Sequence, residues 1–187
     1  VYAFMSMIGV ASESQVLVID LTRVLDFESH QARRNFMQRL ARGLKKKHGK
    51  YDKIIFPVFF PGHWTVALFH ADSSECEVWE PYNRDGRRSE RLDRTMQLIN
   101  ELNDETKAFE GFNTQGCLGN LRLIEALKAR TDHQTSGRGC AAFCCFYMLM
   151  RVFAGCTVAQ VADNPQASPR NMDLFRNQLA TWFDRDR

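Results

Sequence analysis

One stretch constrains this chain more than any other. From Cys140 to Ala154 it reads C-A-A-F-C-C-F-Y-M-L-M-R-V-F-A, and Arg151 is the single charge. This reads as a helix that is apolar on nearly every side, and such a helix has to be buried. It is too short for a bilayer, which takes about 20 apolar residues. The rest of the chain must therefore wrap it. With 187 residues, 44% hydrophobic and 25% charged, one domain can supply a core of that size. The composition is globular rather than disordered or fibrous.

The remaining segments read as alternating strands and helices. Gln15 to Asp20 is a short strand rich in β-branched residues. Ser29 to Lys47 is an amphipathic helix, with Phe36, Leu40 and Leu44 on one stripe and Gly49 as its stop. Lys53 to Phe60 is a buried strand in which Pro57 suggests an edge or a bulge. His63 to His70 and Cys76 to Glu80 are two strands joined by Ala71-Asp72-Ser73-Ser74. Arg87 to Asn103 is a helix, Leu118 to Ala129 a helix or a loop leading into one, and Asp173 to Phe183 a last amphipathic helix. The fold class is α+β: a small central mixed or antiparallel sheet flanked by helices. Residues 1–187 read as one domain. Val1 to Ile8 looks like the middle of an apolar helix, so residues are expected before it, and Val1 to Val10 lacks the marks of a signal peptide.

Six cysteines are present: Cys76, Cys117, Cys140, Cys144, Cys145 and Cys156. Two are adjacent within the apolar run, so they do not form a disulfide framework, and an intracellular, reducing compartment is expected. No C-x-x-C pair or spaced His-Cys set suggests zinc. No metal and no cofactor are expected.

Cys140 differs from the other five. It follows Ser136-Gly137-Arg138-Gly139 and opens the apolar helix. A thiol at a helix N-terminus lies at the positive end of the macrodipole, which favours the thiolate, the nucleophilic form. Arg138 adds positive charge. The bland reading, a small buried apolar residue, suits Cys144 and Cys145 better. A nucleophile needs a base. Of five histidines, His63 stands in Pro61-Gly62-His63-Trp64 at the mouth of a strand, where a side chain can face a cleft. His30 and His48 belong to the basic helix, His70 lies near a turn, and His133 stays open by sequence proximity to Cys140. A hairpin turning about Ala71-Asp72 places His63 opposite Glu80 and Trp64 opposite Trp79. Opposed Cβ atoms lie about 4.5–5.5 Å apart, so Glu80 can orient His63 as the third member of a triad. Asp85 is the fallback carboxylate. Gln134, six residues before Cys140, can offer an amide to an oxyanion beside the Cys140 N–H.

His63-Trp64, then Trp79-Glu80-Pro81-Tyr82, then Gln134 to Cys145 together resemble the adenain and ubiquitin-like-protease group of cysteine peptidases. The resemblance covers roughly Lys53 to Phe153. It implies Cys140 as nucleophile at the start of a buried helix, His63 as general base, Glu80 as its partner and Gln134 as oxyanion donor. Trp64 and Gly139 would border the substrate cleft, with cleavage after small, Gly-type residues. Glu80-Pro81-Tyr82 and Phe143-Cys144-Cys145 are similar to the adenovirus-type branch, which implies a viral processing protease acting on a polyprotein. Gly139 and Ala141 depart from both branches.

Three alternatives compete. The first is a deubiquitinase or SUMO-type deconjugating isopeptidase acting on a ubiquitin-like modifier, in a microbial effector for example. The second is an effector-type acetyltransferase, which would need acetyl-coenzyme A. The third is a catalytically dead scaffold. One further feature is the run Arg33, Arg34, Arg39, Arg42, Lys45, Lys46, Lys47 and Lys50, which few carboxylates offset. It reads as a solvated face, or as a patch for DNA or an acidic protein surface. No membrane partner is expected.

Overall fold

The computed structural model describes residues 4–7, 15–81, 86–109, 116–126 and 139–185. Five strands form one sheet in the order β1-β2-β3-β4-β5: Val16–Val18, Lys53–Phe60, His63–His70, Glu75–Trp79 and Arg122–Glu125. The outer pairs β1–β2 and β4–β5 are parallel, and the two inner pairs are antiparallel. Helices α1 (His30–Lys47) and α2 (Arg88–Lys107) pack on one face. Helices α3 (Cys140–Met148) and α5 (Pro169–Arg185) cover the other, with the short α4 (Val158–Ala162) between them in sequence. The α+β expectation holds.

Local chemistry explains the joints. Ser29 caps α1 by accepting from the Ala32 N–H. Pro61 and Gly62 make the two-residue turn between β2 and β3, and Gly62 takes φ +76, a conformation that favours glycine. Pro57 lies inside the second of five strands, paired with Val66. Its carbonyl accepts from the Leu21 N–H on the β1 side, beyond the last regular β1–β2 pair at Val18 and Ile55. The missing N–H thus falls where β1 has already ended.

Two sequence expectations are corrected. Arg122–Glu125 is a parallel edge strand rather than part of a helix. Its identity comes from the neighbouring β4, a tertiary effect that a four-residue segment cannot announce. The helix that begins at Cys140 is α-helical only to Met148 and continues as a π turn over Leu149–Phe153. Arg151 in that turn binds both oxygens of the buried Glu77 on β4, by Nε at 2.9 Å and by its second guanidinium arm, and a third nitrogen binds the Cys156 carbonyl. His70 Nε2 and Trp79 Nε1 complete the shell of Glu77 at 2.9 and 3.2 Å.

As its composition demands, α3 is buried on nearly all sides. Tyr147 lies against Trp79 with ring centroids 5.0 Å apart, and both side chains are fully buried. Burying each such ring stabilises the fold by about 1.5–3 kcal/mol. This packing seats α3 on the sheet, with its first residue beside the start of β3.

Candidate active site

Three elements meet at the end of the sheet near the Pro61-Gly62 turn. His63 opens β3, Glu80 follows directly on β4, and Cys140 opens α3. His63 is 7% exposed, Cys140 4% and Glu80 fully buried.

Glu80 does not stand opposite His63. The β3–β4 turn is four residues long, with Ser74 at φ +54, and the register pairs His70 with Glu75 and Val66 with Trp79. The strands are therefore two residues away from the expected alignment. Side chains alternate with period two, so a two-residue shift leaves each one on the same face. His63 reaches Glu80 diagonally, with Nε2 2.6 Å from Oε1. The expected Trp64–Trp79 pair does not form. Trp64, half-buried, lies against Phe59 with centroids 5.0 Å apart, while Trp79 lies against Tyr147.

The β4 pairing ends at Val66 and Trp79, which leaves the edge of β3 before Val66 without that neighbour. Here the first turn of α3 takes over. The Trp64 N–H donates to Cys140 Sγ at 3.4 Å, and Cys144 Sγ donates to the Trp64 carbonyl at 3.4 Å. The imidazole of His63 is hydrogen-bonded to Cys140 on one side and Glu80 on the other. Since Nε2 faces Glu80, Nδ1 is the nitrogen left for sulfur. Burial alone would lower the basicity of His63. The hydrogen bonds to Cys140 and Glu80, and their charges, reverse this and raise its pKa to about 9.

Gly139 is the N-cap of α3, at φ −100 and ψ −8. Among the described residues, no side chain caps this terminus, so none of them supplies the first amides of α3 with the usual side-chain acceptor. Gln134, Asp85, His133 and Arg138 lie outside the described residues. Among the described residues, no three His, Cys, Asp or Glu side chains are placed to hold a metal ion. No described helix is long and apolar enough to cross a membrane.

Two residues that the sequence did not single out complete the carboxylate. Thr65 Oγ1 donates to Glu80 Oε2 at 2.6 Å, and Arg91 Nε on α2 donates to the same oxygen at 3.1 Å. A signal existed: Arg88, Arg91, Thr95, Leu98 and Leu102 fall on one helical stripe, all buried, so two arginines occupy core positions. Elsewhere burial pushes the thiols of Cys76 and Cys145 up to about 12 and that of Cys144 well above its ordinary value, which disfavours the thiolate in each. The other histidines are engaged differently. His70 binds Glu77, and His48 lies edge-on to Tyr51.

The basic helix is partly neutralised. Arg33 pairs with Glu101 and Arg34 with Glu105, both on α2. Arg39, Arg42, Lys45, Lys46, Lys47 and Lys50 are exposed, with Arg39 over the Phe36 ring and Lys45 over Phe109.

No protein-family model and no curated protein sequence matches the chain. Among solved structures it is similar to the SUMO protease Ulp1 with its catalytic cysteine oxidized to a sulfonic acid, at TM-score 0.59 and 14% identity, covering 93% of this chain and 72% of that one. It is also similar to the C-terminal Ulp1 protease domain in complex with Smt3, the yeast ortholog of SUMO (0.54, 19% identity, 86% and 68% covered). The central domain of an uncharacterized Legionella pneumophila protein matches over 96% of both chains, at TM-score 0.54 and 18% identity. The chain thus shares the Ulp1 protease fold. The expected leaning toward the adenovirus-type branch gains no support from these neighbours.

Proposed function

We propose that this chain is a thiol peptidase with a Cys140–His63–Glu80 triad, and that it releases ubiquitin-like modifiers from their conjugates. The observation that carries the reading is the continuous chain of hydrogen bonds from Cys140 through His63 to Glu80. It joins a thiol at a helix N-terminus to a base held by a buried carboxylate. With a pKa near 9, His63 carries its proton at neutral pH, as a thiolate–imidazolium pair requires.

The chemistry is acyl transfer. The Cys140 sulfur attacks the carbonyl carbon, and the oxyanion is met by the Cys140 N–H, with Gln134 as the second donor that the family resemblance implies, a donor of this kind contributing about 2.7–4 kcal/mol. His63 hands its proton to the departing amine. Water then attacks the thioester, with His63 as base, and frees the carboxylate and the thiol. Cys140 and His63 are only 4% and 7% exposed, which suits a slender, extended chain such as a glycine-rich modifier tail. Trp64 and Gly139 lie beside the sulfur and would border that tail. Neighbours whose names say SUMO protease support a modifier substrate over a viral polyprotein.

The test uses modifiers carrying a C-terminal electrophile, with a small alkylating agent as control, on the wild type and Cys140→Ala. The expected result is a modifier adduct on Cys140, read by intact mass, and none on Cys140→Ala. Fast alkylation of Cys140 with no modifier adduct would return the reading to a processing endopeptidase or an acetyltransferase. Alkylation of Cys140 no faster than the other cysteines would overturn the catalytic assignment.

A further inference from the structure

Arg91 is an unusual occupant of a core position. Its side chain is 5% exposed, and Glu80, against which it lies, is at 0%. Burying a guanidinium costs several kcal/mol unless its partner is well placed, and an apolar side chain would fill this stripe of α2 without that cost. What it faces explains it. Glu80 divides its oxygens: Oε1 serves His63, while Oε2 takes Thr65 Oγ1 and Arg91 Nε.

We infer that Arg91 is a positioning residue of this site: with Thr65 it pins Glu80 Oε2 so that Oε1 stays on the imidazole, and its fixed positive charge offsets the carboxylate while His63 releases and regains its proton. This rests on the peptidase reading above. With His63 protonated, the imidazolium and the carboxylate balance. Once His63 gives its proton to the departing amine, the buried Glu80 no longer faces an imidazolium, and the charge of Arg91 at 3.1 Å remains beside it. Without Arg91 the dry site retains the proton on His63, which becomes a weaker acid. The other groups that face this cluster are Cys140, Cys144 and Tyr147 on α3, with Arg88 on α2 acting on Tyr147.

The experiment compares Arg91→Met, Arg91→Lys, Glu80→Gln and the double variant Arg91→Met/Glu80→Gln. Turnover is followed on a modifier with a fluorogenic C-terminal amide. The titration of His63 is followed by NMR of 15N-histidine-labelled protein. Arg91→Met is expected to lower kcat about 10- to 100-fold with KM within about twofold. It is expected to raise the His63 titration and the alkaline limb of activity by about one pH unit. Arg91→Lys should restore most of both. In the Glu80→Gln background, Arg91→Met should move the His63 titration no further.

A folded Arg91→Met with wild-type kcat and an unmoved His63 titration overturns the inference. So does a titration shift that persists in the Glu80→Gln background. If Arg91→Met alone does not fold, the double variant removes both charges of the pair, and comparing it with Glu80→Gln, alongside Arg91→Lys, decides the matter. The titration needs no substrate. A wild type that turns over no modifier amide therefore refutes the peptidase reading, while the titration still decides the charge effect of Arg91 by itself.

Discussion

Replacing Glu77 by Gln should remove a sizeable part of the fold's stability at neutral pH, and progressively less in acid. Burial alone would raise the pKa of Glu77. The hydrogen bonds from His70 and Arg151, and the charge of Arg151, instead lower it from 4.5 to about 2. At about 1.4 kcal/mol per pH unit, that difference is worth roughly 3 kcal/mol. A carboxylate with a depressed pKa contributes stability that is present above its unfolded value and disappears as the proton returns. The contribution should therefore be complete above about pH 4.5 and fade toward pH 2. Glu77→Gln keeps the shape and forfeits the charge, so the two proteins should differ by about 3 kcal/mol at pH 7 and converge in acid. For a chain of this size, 3 kcal/mol is a melting shift of about 6–12 °C. Urea unfolding of both proteins from pH 7 to pH 2, followed by tryptophan fluorescence, measures it. Curves that stay parallel across that range would refute the reasoning, because the loss would then come from shape alone.

Other expectations follow from the same geometry. Turnover should fall as pH rises through about 9, because His63, whose pKa is raised, loses its proton there; a modifier-amide assay from pH 5 to 10.5 reads this limb directly. In the native protein at pH 7, a small alkylating agent should label Cys140 first. Cys76, Cys144 and Cys145 should react only after unfolding, as peptide mapping by mass spectrometry would show. Thr65→Val removes one donor from Glu80 and keeps the β-branched shape, so kcat should drop severalfold with KM unchanged. If the exposed cations of α1 and Lys50 just beyond it serve a polyanion, duplex DNA should bind at low salt with a log–log slope of up to about −5, given the six side chains Arg39, Arg42, Lys45, Lys46, Lys47 and Lys50. Charge reversal at Arg42, Lys46 and Lys47 should abolish that binding, whereas Arg33 and Arg34 already have carboxylate partners and should matter less.

How much of this was legible in the sequence differs by residue. The place of Cys140 was, because a glycine-flanked thiol at the head of an all-apolar helix has few other readings. The His63–Glu80 contact was anticipated from a register that proved two residues off. It survived because the error preserved strand parity; an error of one would have put the two side chains on opposite faces. The same shift broke the expected Trp64–Trp79 pair, since diagonal neighbours can be claimed by other partners, here Phe59 and Tyr147. The strand at Arg122 was not legible, because two apolar residues between charges carry no period and only the β4 edge makes them a strand. Arg91 was not singled out, on a helix that carries several arginines. Its burial shows only when the stripe through Leu98 and Leu102 is extended backward.

The meeting of Trp64 and Cys140 joins residues 76 apart in the chain, whereas His63 and Glu80 are 17 apart. Hairpins close quickly and long loops slowly. During refolding, the histidine and its carboxylate should come together as β3 and β4 zip, while the sulfur arrives only when α3 docks over the finished sheet. A ribosome-bound chain truncated before residue 140 would hold a formed acid–base pair with nothing to activate. Reactivity at Cys140 would then serve as a clock for the last long-range step of folding, later than any signal from the sheet itself.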